Sequence, residues 1–240
     1  MKKRIVAVMI SVFAGLILFA DGLAAEKPRL GVLRFTNNTH ASWWYATSGE
    51  ELQDMLIAEL VSAKAFSVLE RKELDAVISE QKLGASGLVN KKTATKIGNL
   101  TGAKYLVAAT VSSFEEETSG DSGGVSFMGV SVGGEKGKAY IAVDLKVISV
   151  ETGEIVDTRT VEATSQSSGL GLGLNMRGFS GNLGKKAKTP TGKAIRGCIV
   201  EISQYLECSL VKGKNDSCMQ EYNQKESKRR EKTKGSIELE

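Results

Sequence analysis

Two glycine-rich stretches, 119–137 and 169–184, hold half of the chain's 26 glycines, and both fall among strand-like segments. Glycine in bulk normally means irregular backbone. The second stretch is nevertheless patterned: Leu170, Leu172, Leu174 and Met176 alternate with Gly171, Gly173, Asn175 and Arg177. Successive strand side chains point to opposite faces. When extended, this segment is apolar on one side and small or polar on the other, as a transmembrane β-strand requires with lipid outside and a polar lumen inside. Two readings fit, a lipid-facing strand and a glycine-rich surface loop, and alternation in one segment does not decide between them.

The N-terminus points to the cell envelope. Lys2, Lys3 and Arg4 precede an apolar run over 5–20, and Gly22, Ala24 and Ala25 follow. This is the layout of a secretory signal peptide over 1–25, with cleavage expected after Ala25. An apolar run of about 16 residues is short for a membrane-spanning anchor. No cysteine precedes Cys198, so the mature chain is expected to face the periplasm without lipid. Nothing later approaches the length of a membrane helix, so any entry into a bilayer has to be as a barrel.

About 215 residues remain after cleavage, enough for one sizeable core. Half of the formal charge of +4 belongs to the signal segment, where three bases oppose Asp21. The near-neutral remainder shows no basic patch of the kind nucleic acid needs. In an oxidising compartment one cysteine pair can form. Cys208–Cys218 would tie the tail to the last helix, whereas Cys198 falls on that helix's apolar stripe and is expected in the core. Catalysis is not expected. His40 is the one histidine and lies in a loop, with no partner pattern for nucleophilic chemistry. The metal motifs H-E-x-x-H and paired C-x-x-C do not occur. The glycines from Gly169 to Gly173 lack the lysine–serine pair of a phosphate loop. No metal, cofactor or nucleic-acid partner is therefore expected, and Glu115, Glu116 and Glu117 with Asp121 read as a solvated acidic hairpin base.

Between these landmarks the pattern is α/β. Residues 29–35 read as a strand, and a polar, aromatic loop follows over 36–47. Ser48 and Glu51 have capping-box spacing ahead of a helix to about Ala63, with Leu52, Met55, Leu56 and Leu60 facing a core. A short strand over 66–69 leads to a second helix over 70–82, with Leu74, Val77 and Ile78 on one stripe. Asn90 is placed to cap a third, carrying Ala94, Ile97 and Leu100. From Tyr105 the pattern turns to β. Segment 140–150 sets Ile141, Val143, Leu145 and Val147 against Tyr140, Ala142, Asp144 and Lys146; a turn follows at 151–154, then a strand over 155–164. A last helix from Thr191 or Gly192 carries Ala194, Ile195, Cys198, Ile199, Ile202, Tyr205 and Leu206 as a wide apolar stripe. Residues 213–240 are highly charged and read as a solvated or disordered tail.

The two glycine-rich excursions, over about 113–140 and 162–187, leave the same part of one sheet. Each is long enough for a hairpin of membrane-spanning strands, which take about 9–11 residues. The first would turn near Gly133 and Gly134, with Met128, Val130 and Val132 on one face; the second would turn near Arg177 and Gly178. Four strands cannot close a barrel around an aqueous lumen, so a pore demands several copies.

The run Ile141-Ala142-Val143-Asp144-Leu145-Lys146-Val147-Ile148-Ser149-Val150-Glu151-Thr152-Gly153-Glu154-Ile155 resembles the strand–turn–strand between the membrane hairpins of the curli secretion channel (CsgG) family. Leu69-Glu70-Arg71, and Ser122-Gly123-Gly124-Val125 inside the first excursion, are further matches, and the resemblance runs from about Leu30 to Leu210. It implies an α/β (α+β) periplasmic domain over 26–212, with a mixed sheet and flanking helices, that assembles as a homo-oligomeric ring. Each subunit donates two hairpins to a shared outer-membrane β-barrel that passively exports unfolded polypeptide cargo. Lipid would face Met128, Val130, Val132, Leu170, Leu172, Leu174 and Met176, and the lumen Asn175 and Arg177. The family narrows its pore with the loop after the first strand, which here carries Asn38, Trp43 and Trp44. Constriction and packing against the domain are both open for the two tryptophans. The sequence departs from the family in its shorter loop, its slightly shorter hairpins and the missing acylated cysteine.

Two functional classes result. One is an outer-membrane secretion channel subunit for curli-like fibre subunits or other extracellular polymer components, with accessory factors in the periplasm. The other is a soluble periplasmic scaffolding protein on the same fold that forms no pore.

Overall fold

The structure, a computed structural model, describes residues 26–95, 97–119, 125–127, 130–132, 136–166 and 188–236, without side chains at 118, 119, 125–127, 130–132 and 136. The expected signal segment lies outside the described residues, as do Met128, Leu170, Leu172, Leu174, Asn175, Met176 and Arg177; Val130 and Val132 are described by backbone alone.

Strands β1 (Arg29–Val32), β2 (Thr36–Asn37), β3 (Ser67–Leu69), β4 (Tyr105–Ser119), β7 (Lys136–Ser149) and β8 (Ile155–Gln166) form one mixed sheet. Its order is β3-β1-β4-β7-β8, with β2 beside β4. The β3, β1 and β4 pairs are parallel, whereas β4, β7 and β8 pair antiparallel. Between β4 and β7 the short strands β5 (Val125–Phe127) and β6 (Val130–Val132) pair with each other. Helices α1 (Ser48–Ala63) and α3 (Pro190–Glu207) lie side by side on one face, α1 over β1 and β3 and α3 over β7 and β8. Arg196 joins them through Glu59 at 3.2 Å.

The alternation read from 140–150 decides which face of β7 is packed. Ala139, Ile141, Val143, Leu145 and Val147 are at most 2% exposed beneath the helices, as are Leu52, Met55, Leu56 and Leu60 of α1. The stripe on α3 is likewise buried, Cys198 included. The turn after β7 closes with Gly153 at φ +73, a left-handed position that suits glycine.

Several expectations need correction. Thr47, not Ser48, precedes the first helical residue; its hydroxyl donates to Glu51 Oε1 at 2.9 Å, while buried Ser48 accepts from the Tyr45 amide. Helix α2 (Leu74–Ala85) buries no residue, and the packed face of the sheet is covered by α1 and α3. Leu74 and Ile78 are only half-buried. The expected third helix is a single turn on Asn90, whose Oδ1 accepts from the Lys92 amide; Gly98 at φ +87 ends the segment, and Ile97 is exposed. In the first excursion Phe127 pairs with Val130 and Val125 with Val132, a register that the expected turn at Gly133 and Gly134 would not give.

The charged tail is helical over Ser217–Gly235. Asp216 caps helix α4 (Ser217–Gly235) by accepting from the Cys218 amide at 2.9 Å, and a five-residue π-turn, Cys208–Lys212, connects α3 toward it. Charge did not prevent folding, because Met219 and Tyr222 reach the core while Glu226 neutralises Arg229 and Arg230 one turn on.

Candidate functional site

The stems of both excursions meet at one end of the sheet. Strands β4 and β7 stay paired without a break from Phe114↔Ile141 to Ser119↔Lys136. Strand β8 runs beside them until Gln166 pairs with Lys138. Helix α3 begins at this same end: Thr191 Oγ1 donates to Glu116 Oε1 at 2.5 Å. A Cβ added to Gly137 would lie 3.0 Å from the Pro190 ring, so glycine permits that close approach. The first excursion therefore leaves and returns on β4 and β7, while the second leaves from β8 and returns to the start of α3, a few residues from the same glycine.

The loop over 36–47 wraps this end. Strand β2 aligns Thr36 with Thr110, and their hydroxyls bond at 2.8 Å. The Asn38 amide then donates to the Val111 carbonyl at 2.9 Å. Asn37 Oδ1 accepts from both the amide and the hydroxyl of Thr39, which tightens the turn. An open cleft of about 630 Å³ lies between loop residues from Asn38 to Ser42 and the β4 residues Ser112, Phe114 and Glu116. His40 borders it.

Trp43 does not line this cleft. Its indole is fully buried, edge-on to Phe114 at 5.7 Å and to Trp44 at 5.5 Å. Trp44 is half-buried on the same cluster. The expectation of a tryptophan constriction is thus corrected for Trp43, because burying its apolar rings against Phe114 outweighs exposing them. Asn38 is the one member of the expected constriction set that is exposed at the cleft.

The edge of the sheet at β8 holds a second constellation that the sequence reading missed. Arg159 lies over the rings of Tyr205 and Tyr222, at 5.3 and 5.5 Å, and donates to the Tyr222 carbonyl. Asp157 accepts from Tyr205 Oη at 2.8 Å and from the Ser209 hydroxyl. Arg229 approaches Glu162 at 3.7 Å. Burial, with Glu162 adding, pushes the Tyr140 phenol up to about 12. The Arg229 and Arg230 guanidinium groups hold Glu226 down at about 2. Cys208 and Cys218 form a disulfide with Cα atoms 6.0 Å apart, whereas the free thiol of Cys198 is buried, and that burial pushes it up to about 12. The signals available beforehand were the Asp216-Ser217-Cys218 cap and the Met219 and Tyr222 spacing, both masked by the surrounding lysines. Among the described residues no group of histidine, cysteine and carboxylate side chains is arranged to hold a metal, and no helix is long and apolar enough to cross a membrane.

A mixed sheet with two covering helices on one face and two excursion stems gathered at one end defines the architecture. The family model "Curli production assembly/transport component CsgG" matches residues 16–237, and the chain belongs to the CsgG family. It is 32% identical over 108 residues to the Neisseria meningitidis serogroup B protein named "Putative lipoprotein", covering 45% of this chain and 43% of that one. It is 26% identical over 114 residues to CsgG of Escherichia coli, covering 46% of this chain and 41% of that one. The matched segments thus span less than half the length of these relatives. Among solved structures, a hypothetical protein of Chlamydia trachomatis gives a TM-score of 0.45 at 15% identity, covering 78% of this chain and 99% of that one. The PelC dodecamer of Paraburkholderia phytofirmans gives 0.37 at 14%, covering 76% and 88%.

Proposed function

We propose that the chain is an envelope protein and a subunit of an outer-membrane secretion channel, in which several copies each contribute two hairpins to one barrel. The observation that carries this reading is the gathering of the excursion stems at one sheet end, with β4 and β7 paired out to Ser119↔Lys136 and β8 beside them. That arrangement delivers adjacent strands in register toward one side of the domain, and an edge-free closed barrel is the form in which strands can enter lipid. The alternation from Leu170 to Arg177 supplies a lipid face and a lumen face on the same excursion.

The mechanism is passive and not enzymatic. Unfolded polypeptide, such as curli-like fibre subunits or other extracellular polymer components, passes a narrow lumen and is drawn outward by capture or folding outside. The polar cleft at Asn38 lies under the stems, so Asn38 is the residue of this loop proposed to meet the cargo; Trp43 supports the loop from within. Planar-bilayer recording of the purified mature protein tests the reading. Stepwise conductance that changes on Asn38→Trp is the expected result. A folded protein that stays in aqueous solution without detergent and gives no conductance would instead mark it as a periplasmic scaffolding protein.

A further inference from the structure

The channel reading, on which this inference rests, fixes which surfaces of neighbouring copies meet. Strands of one subunit follow one another around a barrel's circumference, so the direction from β4 through β7 to β8 is the direction around the ring. The β4–β7 pairing runs from the domain into the stem, with one register shift between Val111 and Ser113. Each copy therefore presents its β3 side to one neighbour and its β8 side to the other, a head-to-tail contact between unlike surfaces that closes on itself.

The two sides are unlike in complementary ways. Toward the β3 side, α1 carries Glu50, Glu51 and Asp54 and no basic residue, with Arg34 beside Glu50 and Lys72 beside Asp54, and α2 adds Asp75 and Glu80 against Lys82. Helix α2 buries nothing within its own chain and leaves Val77 and Leu83 36% and 42% exposed; Leu88, just beyond it, is 83% exposed. A segment of this kind, ordered yet without a packed face, lacks the apolar partner that stabilises helices in water. Flanking β8, α4 carries Lys225, Lys228, Arg229, Arg230, Lys232 and Lys234 against three glutamates. It is fixed there by the Cys208–Cys218 disulfide, the Arg159 stack and the Arg229 contact to Glu162. Near the far end of the same edge, Ile155 and Val156 of β8 are 56% and 41% exposed.

We infer that α4, pinned by its disulfide, is the docking element of the ring, and that its basic outer face receives the acidic, apolar α1–α2 side of a second copy of this chain. Opposite potentials at the two sides steer the head-to-tail encounter and disfavour head-to-head pairing. The exposed apolar residues of α2 then gain the cover that the isolated chain denies them.

Charge reversal with rescue tests this on the full-length protein in detergent, with mass read by light scattering after gel filtration. Lys228→Glu with Lys232→Glu, and separately Asp75→Lys with Glu80→Lys, are each expected to raise the concentration for half-assembly at least about tenfold. The chain carrying all four substitutions is expected to regain the parental mass. Circular dichroism confirms that each variant is folded, and Val77→Ser with Leu83→Ser should weaken assembly without any change of charge. An intact ring in both folded charge variants would overturn this interface and leave the channel reading standing. A parental protein that is monomeric in detergent would overturn both.

Discussion

Trp43→Ala is the perturbation that most directly separates a structural tryptophan from a pore-lining one. The side chain is 0% exposed and meets Phe114 and Trp44 edge-on. A buried indole removes about 200 Å² from water, and about 25 cal/mol per Å² gives about 5 kcal/mol. A compact unfolded chain reduces that by about 10–40%. The buried Nε1–H finds no acceptor among the described residues, and removing an unpaired donor returns about 1–3 kcal/mol. The cavity left beside Phe114 works in the opposite direction. The balance is a loss of about 3–5 kcal/mol, read as a lower urea midpoint at unchanged slope. Trp43→Phe keeps a ring on Phe114 and deletes the unpaired donor, so its loss should stay below about 2 kcal/mol. Unchanged stability in Trp43→Ala, together with a raised conductance, would refute this reasoning and return Trp43 to the lumen.

Three further outcomes are expected. Cys208→Ser with Cys218→Ser should cost about 2–3 kcal/mol, the loop-closure value for a ten-residue separation, and should increase amide exchange in α4 first; protection equal to the parent would show that the disulfide does not anchor the helix. Glu226 titrates at about 2 when folded and near its ordinary 4.5 when unfolded, so its contribution is complete above about pH 4.5 and is lost as the pH falls toward 2; Glu226→Gln should flatten that part of the stability profile, and an unaltered profile would exclude the Arg229–Arg230 pairing as its source. Replacing 120–135 and 168–187 with short linkers should leave a folded domain by circular dichroism, because the buried residues of α1, α3 and the β7 packed face all lie outside these segments; an unfolded product would make the excursions part of the core.

The parts of the fold that were legible in the sequence are those with one strong period. The Ile141 to Val147 alternation and the wide stripe on α3 each specify a single buried face, and the sheet and its covering helices follow. Helix α2 departs from its pattern because the Leu74, Val77 and Ile78 stripe has the right spacing yet none of the three is buried, a tertiary fact that no local pattern carries. Asn90 capped a turn that β-branched Thr93 and Thr95 and the left-handed Gly98 did not extend into a helix. The tail was misread in the opposite sense: composition argued for solvation, while two residues, Met219 and Tyr222, and one disulfide were enough to dock it. In the candidate site, the stems were legible as excursions from adjacent strands. The fate of Trp43 was not, since an aromatic residue in a loop serves a lumen or a core equally well until its neighbour Phe114 is placed.

The central claim, that the second excursion crosses a bilayer as a strand, is tested by cysteine scanning from Leu170 to Arg177 in intact outer membranes with a membrane-impermeant thiol reagent. Buried Cys198 and the bonded Cys208 and Cys218 leave a low background. The account predicts alternation, with labelling at Gly171, Gly173, Asn175 and Arg177 positions and protection at Leu170, Leu172, Leu174 and Met176 positions. Uniform labelling at all eight would contradict it and make the segment a water-exposed loop.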